Sequence, residues 1–167
     1  MSQDYWTGGG LKMSLFDRQM ESYGSYHSDK TNKILHIIGT PFIIYSILGA
    51  ASHLTLSIFG LEIGAHWVIA IGLSAWYLFF HLVYGGIAGL WILGLAATVP
   101  WLWELPETTR WITIAAMQVG GWATLFYGHF IEGRKPALFD NISHIFNAAP
   151  FVTAELIEII TGKNISK

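Results

Sequence analysis

Two long runs without a formal charge constrain this chain more than any other feature. No Asp, Glu, Lys or Arg occurs from Ile34 to Leu61, and none from Ile63 to Trp103. As one helix the second run would be about 60 Å long, twice the roughly 30 Å hydrocarbon core of a bilayer. It must fold back on itself, and Gly85-Gly86 is the expected hinge. A further apolar segment, Trp111 to Ile131, is bounded by Arg110 and Glu132. Four crossings are therefore predicted, although Pro41 and Gly49 interrupt the first. Composition agrees, with 53% hydrophobic and 12% charged residues against about 25% charged in an ordinary soluble domain. The expected fold is all-α: a polytopic membrane helical bundle of about four transmembrane helices with interfacial helices at both ends.

One membrane domain accounts for the whole length. Residues 1–33 read as an N-terminal interfacial segment, 34–131 as the four transmembrane helices, and 132–167 as a loop and a C-terminal amphipathic helix. In the first segment Leu11, Leu15 and Met20 alternate with charges after a flexible Gly8-Gly9-Gly10 lead-in. In the last, Asp140 and Asn141 are cap candidates and Pro150 is an expected kink. Four crossings put both termini on one side. That side carries Lys12, Arg18, Lys30, Lys33, Arg134, Lys135, Lys163 and Lys167, and the other only Arg110. The positive-inside rule then makes both termini cytoplasmic, in a bacterial inner membrane or the endoplasmic reticulum. The N-terminus has no apolar h-region and does not read as a signal peptide.

Some chemistries are excluded at once. There is no cysteine, hence no disulfide, thiolate ligand or iron–sulfur cluster, and any metal must rely on His, Asp or Glu. A net charge of −2 without a basic run gives no footprint for nucleic acid.

The seven histidines sort by depth. His53 and His66 fall at the outer ends of the first two crossings, whereas His27, His36, His81, His129 and His144 share the cytoplasmic level. Imidazoles from separate segments meeting at one level are what a metal site needs. On one straight helix His27 and His36 would face opposite ways, about 13 Å apart along the axis. The intervening Asp29, Thr31 and Asn32 favour a turn and an N-cap, so a helix starting near Asn32 lets His27 fold back over His36. His129 and Glu132 stand at i and i+3, on one helical face, before Gly133 and Pro136 end the helix. The blander readings are a cap or interfacial role for His53, His66 and His144, a surface partner for Arg134 or Lys135 in Glu132, positive-inside anchors in Arg134 and Lys135, and the polar face of the tail in Glu155.

Three stretches carry a resemblance to a known family. They are Tyr26, His27, Asn32, His36 and Pro41; then the pattern from Gly121 through Gly128, His129, Glu132, Gly133, Arg134, Pro136 and Asp140 to Asn141; then Ala149, Pro150 and Glu155. Together they resemble the Mpo1-like proteins, with residues 50–115 similar in hydropathy only. One departure is Leu125, where the family commonly has Gln. His81 lies outside the pattern.

The resemblance implies an Fe(2+)-dependent dioxygenase of fatty acid α-oxidation that shortens a 2-hydroxy fatty acid by one carbon, with O2 as co-substrate and membrane lipid around it. On that basis His27, His36 and His129 are the expected metal ligands. The substrate's carboxylate and α-hydroxyl are expected to chelate the iron, with no 2-oxoglutarate needed. Glu132 is expected to orient a ligand imidazole and Arg134 to pair with the carboxylate, with Asp140 helping to hold the loop or completing the coordination. Two other classes stay open: a b-type cytochrome with axial histidines, and a non-catalytic membrane scaffold or lipid-binding protein.

Overall fold

A computed structural model describes residues 15–140 and 142–162. Leu11, the Gly8–Gly10 lead-in and the cap candidate Asn141 lie outside the described residues. Helix α1 spans Leu15–Gly24 and α2 spans Lys30–Ala51. The start of α2 is fixed by Asp29, whose carboxylate accepts from Thr31 N at 2.8 Å and Asn32 N at 3.0 Å. Two N–H groups that lack a helical partner are thereby satisfied. The helix passes through both Pro41 and Gly49 without a break.

The first charge-free run does not stay helical to Leu61. Strands β1 (Thr55–Ile58) and β2 (Leu61–Gly64) form an antiparallel hairpin, with Thr55 opposite Gly64 and Ile58 opposite Leu61. Its two-residue turn, Phe59-Gly60, has φ of 52° and 80°, the positive values that match a turn to the twist of its strands.

Helices α3 (Ala65–Phe80) and α4 (Leu82–Thr98) follow, and the break between them corrects the expected hinge. The chain turns at His81, which is extended at φ −154° and ψ 118°, and its Nδ1 accepts from Tyr84 N at 3.1 Å. Gly85 instead lies inside α4, where a Cβ would collide with the Tyr77 carbonyl oxygen. Its role is close packing of α4 on the end of α3.

A short α5 (Pro100–Trp103) leads to α6 (Glu107–Glu132), which ends at Gly133 in the left-handed conformation, φ 70°. There Gly133 N reaches Phe130 O and Arg134 N reaches His129 O, closing the last turn. Two 3-10 turns (Ala137–Phe139 and Ile142–Asn147) precede α7 (Ala148–Thr161). Because α7 begins at Ala148, Pro150 occupies its first turn, where the missing N–H costs nothing. The expected kink does not arise.

Among the described residues two segments are long and apolar enough to cross a membrane by length and composition, Lys30–Ala51 and Leu82–Trp103, two of the four expected. Ala65–Phe80 is apolar but shorter. The core lies where α2, α3 and α4 meet, around Leu48, Ala70, Ala88, Ile92 and Val99. Helix α2 also runs along α6, and small residues set that distance. A Cβ on Gly121 would stand 2.7 Å from Ile43 Cγ1 and 3.0 Å from Gly39 O. One turn before α6 ends, Gly128 lies against the Asn32 side chain. This seam lets the histidine ends of the two helices meet.

Candidate metal centre

Three imidazoles converge where the 25–29 loop, α2 and α6 come together. His27, His36 and His129 are all buried, and each offers a ligand atom within 4.8 Å of the others. Their ring centroids are 4.3 Å (His27 to His36), 4.8 Å (His27 to His129) and 5.0 Å (His36 to His129) apart, with the rings steeply inclined. The loop does return His27 over His36, as the turn chemistry predicts.

The tautomers follow from backbone contacts. His27 Nδ1 lies 2.8 Å from Tyr23 O and His36 Nδ1 lies 3.0 Å from Asn32 O. A carbonyl only accepts, so both Nδ1 atoms carry the proton and donate. In the neutral rings both Nε2 atoms are then bare lone pairs, and they face each other at 3.1 Å. Two acceptors at that distance repel unless a cation or a proton lies between them. Burial first, then the neighbouring His36, pushes His27 down to about 3, so a proton is a poor filler near neutrality. This donor set fits a divalent transition metal held by imidazole nitrogens.

An outer layer holds the imidazoles in place. Glu132 Oε1 accepts from Ser28 N and Ser28 Oγ, both at 2.6 Å, and from Asp29 N at 3.2 Å. Its Oε2 accepts from the Asn32 amide, which also approaches His129 Nδ1 at 3.5 Å. Burial raises this carboxyl, but the bonds from Ser28, Asn32 and Asp29 outweigh it and hold Glu132 down at about 2. Arg134 donates to Ser25 O. Glu132 and Arg134 thus grip the loop on either side of His27.

That contact differs from the one expected of Arg134, which is exposed and is not part of the cavity wall. Asp140 is also outside, accepting from Tyr26 Oη at 3.0 Å and pairing with Lys135. Glu155 is buried on α7 and pairs with Lys33 at 2.7 Å, tying α7 to α2. His81 caps α4, and His53 packs against Trp103 and Trp111 at the far end of α2. None of these joins the triad.

Beside the triad opens a cavity of about 290 Å³. His36, Thr40, Ile43, Ile44 and Ile47 follow one another down its α2 wall, a run of about 16 Å at the helical rise. Leu73 and Tyr77 come from α3, and Leu125 from α6. At Leu125 the wall is apolar. The head of this cavity is polar and its length is greasy, which suits an amphiphile with its head at the imidazoles.

The family described as 2-hydroxy-palmitic acid dioxygenase Mpo1-like matches residues 13–160, most of the chain. The chain belongs to the Mpo1-like family. The Mpo1-like match takes in all three histidines of the triad, Glu132, and the walls of the cavity. No curated protein and no solved structure matches the chain.

Sequence reasoning missed two parts of this site. His144, read as a cap or interfacial residue, lines the cavity and is buried. Tyr23 stacks on His27 at 4.3 Å and 14° and supplies the carbonyl that fixes its tautomer. Only the four-residue spacing of Tyr23 and His27 hinted at the second.

Proposed function

We propose that the chain is a membrane-embedded, iron(II)-dependent dioxygenase that converts a 2-hydroxy fatty acid into the acid one carbon shorter. The observation that carries this reading is the meeting of two bare Nε2 lone pairs and a third imidazole at the head of an apolar cavity. The description of the family supports the substrate class. When bound, iron(II) supplies the redox chemistry by which O2 reacts with an organic acid, and three histidines leave coordination positions open for that purpose.

The chain's own residues do the rest. Tyr23 O and Asn32 O hold the first two imidazoles as Nε2 donors, and Tyr23 shields one face of His27 from water. Glu132 and Arg134 keep the His27 loop closed over His36. Ile43, Ile44, Ile47 and Leu73 take the acyl tail, at about 0.8 kcal/mol for each CH2 buried. Atoms balance as one 2-hydroxy acid and one O2 giving the shortened acid, CO2 and water, so no 2-oxoglutarate or other reductant is consumed. A haem cytochrome is disfavoured because a third imidazole within 4.8 Å leaves no room for a macrocycle between an axial pair.

A four-crossing arrangement of α2, α3, α4 and α6 belongs to the same proposal. Exposed apolar side chains on these helices support it, among them Phe79 (86%), Leu90 (69%) and Val119 (68%), for which lipid is the natural neighbour. Tags at the two termini should then both be reached from the cytoplasm, and one beside Glu107 only from the other side; termini on opposite sides would end this topology.

The activity is tested by mass spectrometry of iron-loaded protein in detergent, given O2 and 2-hydroxypalmitic acid without 2-oxoglutarate. Release of the acid one carbon shorter is expected, with no product from palmitic acid. Equal turnover of 3-hydroxypalmitic acid, or an absolute need for 2-oxoglutarate, would contradict it.

A further inference from the structure

The cavity takes an acid, yet among the described residues its wall carries no Asp, Glu, Lys or Arg. The cations nearest in sequence to the triad, Lys30, Lys33 and Arg134, are not part of the wall; Lys33 pairs with Glu155, and Arg134 is engaged with Ser25 O outside it. A carboxylate drawn out of water into such a space needs a donor from the wall besides any metal. Two residues of the cavity wall each carry a buried polar atom without a hydrogen-bond partner: Thr40 Oγ1 and His144 Nδ1. Thr40 lies one turn beyond His36, about 6 Å further along α2 toward the apolar end. His144 lies at the head instead. Its ring meets the edges of Tyr23 and Tyr26 at centroid distances of 6.0 and 5.9 Å, and Tyr23 is the ring stacked on His27. His144 is not one of the three converging ligands.

We propose that His144 is a substrate-binding residue whose Nδ1–H donates to the carboxylate of the acid lying in the cavity. A buried imidazole nitrogen without a partner is costly in the empty protein, and a bound acceptor removes that cost. The geometry also assigns a division of labour. The triad end holds the reacting head, and His144, coming from the 3-10 turn before α7, fixes which way the carboxylate points. This assignment rests on the reading of the chain as an acid-binding dioxygenase and adds the residue that distinguishes acid from ester.

The test compares affinities for 2-hydroxypalmitic acid and its methyl ester in full-length protein loaded with Zn(II), which binds imidazole but does not turn over. Binding is read from quenching of tryptophan fluorescence, since Trp122 lines the cavity, and metal content is measured alongside. His144→Phe keeps ring volume and removes the donor; His144→Gln keeps a donor. The preference for acid over ester is expected to fall about tenfold in His144→Phe, the size of one hydrogen bond to a charged group, with ester affinity and zinc content unchanged. His144→Gln is expected to restore most of it. An unchanged preference in His144→Phe overturns the assignment, and so does an equal loss of acid, ester and zinc, which marks a structural role. Because zinc protein performs no chemistry, the outcome stands whether or not the iron-loaded protein yields the shortened acid.

Discussion

Alanine at any one of His27, His36 or His129 is expected to abolish stoichiometric metal binding by the protein. With three imidazoles the ion has a face of nitrogen donors; with two it has an open edge and a cavity where the third ring stood. Loss of a ligand should cost more than the roughly 10–100-fold in affinity that losing an outer partner costs. His53→Ala and His66→Ala should keep full metal content. His53 stands 17 residues beyond His36, about 25 Å along the helix direction, packed between Trp103 and Trp111. Metal analysis of the five purified variants decides the point. Any of the first three that retains one ion per chain is not a ligand.

The second large effect is expected at Glu132, which is not part of the cavity wall. Its carboxylate accepts from Ser28 N, Ser28 Oγ, Asp29 N and the Asn32 amide, so Glu132→Ala strands several donors beside the His27 loop. Metal affinity should fall by about 10–100-fold, measured by competition with a chelator. Glu132→Gln should recover part of this, since its amide oxygen still accepts from Ser28 and Asp29 but its NH2 opposes that of Asn32. The pH dependence has a definite sign. This carboxyl is held below its ordinary 4.5, at about 2, so its contribution to folding stability is fully present above about 4.5 and is lost as pH falls toward 2. Wild-type affinity in Glu132→Ala would show that the loop closes without it.

The convergence of His27, His36 and His129 was legible in the sequence because local signals flank them. Asp29 is a cap that starts α2 after His27, and Gly133 is a stop that ends α6 just beyond His129. The hairpin was hidden for the opposite reason: its first strand and turn lie in the charge-free run and only Glu62 interrupts the second, and hydropathy alone cannot tell a short strand from the end of a helix. The hinge went to Gly85-Gly86 because glycine serves both bending and close packing, and here Gly85 serves packing against Tyr77. That His144 and not Arg134 belongs to the cavity wall has a tertiary reason. Which side chain faces the cavity depends on how the segment after α6 folds back over α1, and no spacing along the chain encodes that.

The central claim is that one iron ion sits among His27, His36 and His129. X-ray absorption at the iron edge, on protein purified without oxygen and reconstituted with Fe(II), tests it most directly. One iron per chain with a shell of three imidazole nitrogens, lost in His36→Ala, is the predicted result. An iron shell without imidazole, or a haem Soret band in the purified protein, would contradict it.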